Sequence, residues 1–128
     1  MGAVTAILYA AKDPFLNGIV LDSPFSDLKQ VAKEIVRDRA NVPKFLTNMA
    51  LKMVRKSIKQ RIPGFDIFRF KPLESAEKSF VPALFIHGLQ DQLVGPHHSQ
   101  KLFDVYGGEK EFEMVNGGHN DTRPPYIQ

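Results

Sequence analysis

Two side chains with complementary chemistry stand in separate loops of this sequence. Asp91 lies in Pro82–Val94, PALFIHGLQDQLV, just past the apolar run Ala83–Ile86. That run has the length and make-up of a buried strand, and Gly88 breaks it. His119 lies in Asn116-Gly117-Gly118-His119-Asn120-Asp121, about one helix and one strand later. A carboxylate can orient an imidazole and favour its charged form, which makes the imidazole a general base. In open α/β sheets, ligands bind outside the carboxyl ends of the strands, where both loops fall. The pair therefore needs a third group to activate.

The elements that would position the pair follow from local pattern. Gly2–Lys12 reads as an Ala-rich, largely buried helix, with Ile7, Leu8 and Ala11 available for burial. It has no Ser, Thr, Asp or Asn ahead of it as a cap, and Asp13-Pro14 ends it. A buried helix without a start signal is expected to be cut off from something upstream. Gly18–Leu21 is the best buried parallel strand, ending at the turn Asp22-Ser23-Pro24. Ser26 or Asp27 can cap a helix over Leu28–Arg37, with Leu28, Val31, Ala32 and Ile35 on one stripe. Asn41-Val42-Pro43 breaks it, and a second helix runs from Pro43 to Gln60. Its positions Phe45, Leu46, Met49, Ala50, Met53, Val54, Ile58 and Ile62 keep helical spacing, with the basic residues mostly off that stripe.

Pro63-Gly64 stops that helix, and Phe65–Phe70 is irregular and aromatic. Leu73–Lys78 is a short helix, Ala83–Ile86 a strand, Pro96–Tyr106 a helix stopped by Gly107-Gly108, and Glu111–Val115 a strand. Strands alternating with helices predict an α/β fold of about three parallel strands with flanking helices. The strand Gly18–Leu21 is too apolar to sit safely at a sheet edge, so further strands are expected upstream, and the chain alone is expected to associate.

Composition narrows the classes. At 128 residues there is room for one domain at most, or a piece of one. The absence of Cys excludes disulfides and thiolate metal sites. No apolar run reaches the roughly 18 residues of a membrane span, and the start MGAVTAILYAAKD fits neither a signal peptide nor a myristoylation motif. The net charge of +3 conceals a basic segment, residues 29–71, with Lys and Arg far in excess of Glu34, Asp38 and Asp66. His97 and His98, adjacent on a predicted helix, should point in different directions and lack the i, i+4 spacing of a metal pair.

Taken together, His87-Gly88-Leu89-Gln90-Asp91-Gln92-Leu93-Val94 and Gly118-His119-Asn120-Asp121 resemble the acid and histidine loops of the α/β-hydrolase superfamily, in its serine hydrolase branch of esterases, thioesterases and serine aminopeptidase-like proteins. The triad order in that family is Ser, Asp, His, and Asp91 before His119 obeys it. The resemblance covers nearly the whole chain but only the C-terminal part of the family's domain. It implies a serine attacking an acyl ester, thioester or peptide, with His119 as base and Asp91 as acid. Met1-Gly2 resembles the end of the Gly-x-Ser-x-Gly elbow, which puts Met1 at the oxyanion-hole position and the serine one residue ahead of the chain.

The expectation is thus a retained acid and base, inactive alone. Asp22 is the alternative acid, since some members place it after the earlier strand. Ser23, Ser26 and Ser99 are weak substitutes for the nucleophile, because none is flanked by glycines, and Ser26 suits a helix cap better. His87 is expected to shape the acid loop. Residues 29–71 fall where such hydrolases insert a helical lid. The apolar stripe of that segment would cover a substrate site, or its basic helix would touch an anionic membrane through Lys52, Arg55 and Lys56. A non-catalytic membrane- or partner-binding protein, or a truncated gene product, is the competing reading. No cofactor, metal or nucleic acid is expected, and the expected location is cytoplasmic, with or without peripheral membrane contact.

Overall fold

The computed structural model describes residues 1–40, 43–61 and 69–127. They form two compact units, one of residues Met1–Ser26 with Pro72–Gln128, the other of Asp27–Lys71. The first unit contains helix α1 (Gly2–Ala10) and strand β1 (Ile19–Asp22). The second holds α2 (Leu28–Ala40) and α3 (Lys44–Arg61). The first unit then resumes with α4 (Pro72–Lys78), β2 (Ala83–Gly88), α5 (Pro96–Val105) and β3 (Lys110–Val115).

The three strands form one parallel sheet in the order β1-β2-β3. The register aligns Leu21 with Phe85 and Phe85 with Phe112, which places these three on one face. Ile7 of α1, Ala76 of α4 and Leu102 of α5 pack on that face with Ala83 and Tyr106. Phe85 is fully buried at the centre, edge-on to Phe103, Tyr106 and Phe112. Burying a side chain of this size stabilises by about 1.5–3 kcal/mol, and edge-on aromatic contacts add to it. The result is a rigid β2, and β2 is the strand whose end delivers Asp91.

α1 starts without a side-chain cap, as expected, its first turn closed by the Thr5 amide on the Met1 carbonyl. It is buried on one face only, through Val4, Ile7 and Ala10; Leu8 and Ala11 are half-buried and Tyr9 is exposed. The alanines that suggested all-round burial are simply small. β1 has the apolar sequence that led to the expectation of neighbouring strands on both sides. It lies at an edge of the sheet, and Val20 is 62% exposed. With three strands in chain order, β1 has a strand on one side only, and its second face carries nothing over Val20. β2 runs two residues beyond Ile86, because Gly88 still pairs with Val115 before the chain turns.

In the second unit, Asp27 is the cap of α2, its Oδ1 accepting the Lys29 and Gln30 amides at 2.7 and 3.2 Å. α2 extends to Ala40, and of its predicted stripe Val31 is fully buried while Leu28, Ala32 and Ile35 are half-buried. On α3 the buried positions are Thr47 and Leu51. Phe45, Met49, Met53 and Val54, which keep helical spacing in the sequence, are exposed. The expected break at Asn41-Val42, the stop at Pro63-Gly64, Ile62, residues 65–68 and the Ile58 side chain lie outside the described residues.

Candidate active site

Parallel register brings the ends of β2 and β3 side by side, and the two loops that follow are laced together. The Leu89 amide donates to the Val115 carbonyl at 2.8 Å, and the Gln90 amide to the Gly117 carbonyl at 3.1 Å. The Gln90 side-chain oxygen accepts the Gly117 amide in return. Two glycines make this approach possible. A Cβ on Gly88 would collide with the Gly117 carbonyl oxygen, and Gly117 adopts φ +122°, which L side chains rarely take. The loop then closes on itself through the Gly118 amide, which donates to Asp121 at 2.6 Å.

This lacing places Asp91 against His119. The His119 Nδ1–H donates to Asp91 Oδ2 at 2.7 Å. The Asp91 side chain is fully buried, and its Oδ1 accepts the Leu93 and Val94 amides at 2.9 Å each. Burial pushes the Asp91 carboxyl up, but the Val94 amide, His119 and the Leu93 amide outweigh it and hold the group below the usual carboxylate range. Asp91 is therefore a fixed anion with both oxygens engaged. His119 is partly exposed, and among the described residues its Nε2 carries no hydrogen bond. An imidazole with Nδ1–H on a buried carboxylate presents Nε2 as a proton acceptor.

His87 forms the floor. It is fully buried on β2, with Nε2 at 2.7 Å from the Val94 carbonyl and 3.4 Å from Asp91 Oδ2. A carbonyl can only accept, so Nε2 carries the proton and Nδ1 accepts the Ser99 hydroxyl. Burial lowers the pKa of His87 and keeps it neutral. A pH dependence follows. Below the ordinary histidine pKa of about 6.5, the unfolded chain takes up a proton that folded His87 refuses. Stability therefore falls as pH drops from 7 towards 5, and falls again below about 4, where unfolded carboxylates protonate while Asp91 and Asp22 do not. Melting temperatures measured across this range should show both declines, and His87→Gln should flatten the first.

Asp22, the alternative acid, does not reach His119. Its carboxylate receives Arg123 as a fork, with Nε to Oδ2 at 2.9 Å and Nη2 to Oδ1 at 2.7 Å. Burial raises the pKa of Asp22, and the Arg123 pairing more than reverses it. Arg123 also donates to the Gly118 carbonyl at 3.0 Å and approaches the His119 carbonyl at 3.5 Å. It thus ties the histidine loop to the end of β1. Arg123, Gln90 and Asp121 were not singled out from the sequence. Asp121 had a readable signal, an aspartate three residues after a Gly-Gly turn. Arg123 had none, being 101 positions from its partner.

The serines are otherwise committed. Ser23 has φ +49°, a strained value for a non-glycine residue, but its hydroxyl donates to Asp22 at 3.1 Å. Ser26 is buried with its hydroxyl 2.8 Å from His98 Nδ1, and is not the cap of α2. Ser99 is fully buried beneath His87. His97 and His98 do not diverge as expected. Their rings come within 4.4 Å, because His97 folds back over Gly95, where a side chain would obstruct it. Met1 is the N-cap residue of α1 and is exposed.

Comparison with solved structures matches this architecture to hydrolases. An acetyl xylan esterase from Paenibacillus sp. R4 superposes with a TM-score of 0.67 at 17% identity, over 98% of this chain and 39% of that one. A Pyrococcus furiosus esterase gives 0.63 at 20% identity, over 94% and 42%. A Mycobacterium tuberculosis puromycin-hydrolyzing peptidase gives 0.61 at 18% identity, over 93% and 17%. The fold is the C-terminal part of an α/β-hydrolase. The chain spans about two fifths of the esterases it matches. No protein-family profile matches it. Among curated proteins, the uncharacterized membrane protein YNL320W of Saccharomyces cerevisiae is 37% identical over 59 residues, 44% of this chain and 21% of that protein. Among the described residues no helix is long and apolar enough to cross a membrane.

Proposed function

We propose that this chain supplies the acid and base of a serine hydrolase that cleaves acyl esters, thioesters or peptides. The observation that carries the reading is the 2.7 Å hydrogen bond from His119 Nδ1 to the buried Asp91 carboxylate. His119 Nε2 takes the proton of a serine hydroxyl as the oxygen attacks the acyl carbon, then returns it to the leaving group. Asp91 holds the tautomer and stabilises the imidazolium without itself taking the proton. No serine of these residues lies in Gly-x-Ser-x-Gly, and this reading assigns the nucleophile to none of them. Met1 is assigned the oxyanion-hole position, and the helical insertion within 29–71 the role of a lid that selects substrate. The esterase and peptidase relatives support hydrolysis as the reaction class, and the fold does not choose among acyl substrates.

The test begins with the reading frame ahead of Met1, which should end in Gly-x-Ser. The product of that frame should be labelled by a fluorophosphonate probe, and His119→Ala should abolish labelling. The 128-residue chain should remain unlabelled. Labelling of that chain, lost on changing Ser23, Ser26 or Ser99, would overturn the assignment.

A further inference from the structure

The exposed face of α3 is built in a way that the packing of its own unit does not require. At 100° per residue, Phe45, Met49 and Met53 fall within one arc of about 80°. The buried positions Thr47 and Leu51 fall on the opposite side of the helix. Phe45, Met49 and Met53 are 74, 57 and 69% exposed. Single exposed apolar residues are ordinary, but three large ones stacked at i, i+4 and i+8 form a patch, and a patch marks a contact. Lys56 lies inside the same arc, and Lys52 and Lys59 run along one border, all exposed. From Lys44 to Arg61 there is no acidic residue.

We propose that this face docks on an anionic membrane surface, with Phe45, Met49 and Met53 entering the acyl boundary and the basic residues meeting headgroup charge. A helix lying in a lipid interface needs an apolar strip and a cationic border on one side, and α3 presents both. Charge complementarity selects the occupant. Nucleic acid phosphates would pair with the lysines but leave Met49 and Met53 in water. An uncharged protein groove would bury the methionines but leave Lys56, in their midst, without an anion. Lipid supplies both phases at once, and flexible side chains such as Met suit an interface without fixed shape.

Co-sedimentation of the full chain with vesicles decides the matter. Vesicles of phosphatidylcholine with phosphatidylserine should bind it, phosphatidylcholine alone should bind weakly, and added salt should reduce the difference. Changing Lys52, Lys56 and Lys59 together to Gln should lower partitioning on the order of a hundredfold. Met49→Gln with Met53→Gln should lower it at least tenfold at fixed charge. Circular dichroism of each variant checks that the helices persist. The chain has no cysteine, so Met49→Cys offers a single site for a nitroxide. Its signal should become oxygen-accessible and water-shielded on the anionic vesicles. Equal binding to both vesicle types, partitioning unchanged in both variants, or a nitroxide that stays in water would overturn the proposal. So would equal binding to polyglutamate, which would reduce the face to charge alone.

Discussion

Replacing Asp91 by asparagine is expected to lower kcat/KM by roughly a thousand- to ten-thousandfold once the nucleophile is present, while leaving the fold nearly intact. The reason lies in how the three hydrogen bonds divide between the two carboxylate oxygens. Oδ1 serves the Leu93 and Val94 amides, and an asparagine oxygen can keep both. Its amide nitrogen then faces His119 where Oδ2 stood. Nδ1 must accept rather than donate, the proton moves to Nε2, and Nε2 can no longer take a proton from serine. Nitrogen chemical shifts of His119 in the 128-residue chain should report this tautomer exchange directly. Asp91→Ala is a different experiment. It strands two buried amides, each at a cost of about 1–3 kcal/mol, and should lower the melting temperature as well. Unchanged tautomer and unchanged rate in Asp91→Asn would remove Asp91 from the mechanism.

Arg123→Ala should reduce kcat/KM by about a hundredfold, the scale of loss when a reacting group is displaced by about 1 Å. Arg123 is placed as a positioning residue. It acts on the loop, through the Gly118 and His119 carbonyls, with Asp22 as its anchor on β1. Arg123→Lys should not restore the rate, because an ammonium cannot fork to both Asp22 oxygens and still reach Gly118. Asp22→Asn should show part of the loss, and adding it to Arg123→Ala should cost little more, since both act through one contact. Hydrogen exchange separates this from general destabilisation. Amides near Gly117 and Gly118 should exchange faster while those of β2 do not. Uniform acceleration across the sheet would give Arg123 a merely structural part.

The Asp91–His119 pair was legible because its signal is local. Asp91 follows an apolar run closed by glycine, and His119 sits among glycines after a second strand, so short windows place both at strand ends. The strand–helix alternation also gave the parallel sheet. What was not legible depended on neighbours far along the chain. The apolar residues of β1 call for burial, yet the number of strands beside it is a property of the whole sheet. The apolar residues of α3 fitted helical spacing, but spacing does not say which side is buried; Thr47 and Leu51 are. Asp22 was left as the alternative acid for the same reason. A carboxylate after a strand suits a catalytic acid or an anchor equally, and only Arg123, brought in by folding, distinguishes them.

The second unit enters after Ser26 and leaves before Pro72, so the whole of α2 and α3 lies within the connection from β1 to β2. Loop-closure entropy grows only logarithmically, each doubling of a connection costing about 0.6 kcal/mol. The β1–β2 register and the core around Phe85 are set by residues outside that connection. A different helical insertion, longer or shorter, would therefore burden the sheet by little more than that increment. Surface chemistry can change in the insertion while Asp91 and His119 keep their spacing. In evolutionary terms this is a modular design, in which change within one connection leaves the sheet in place.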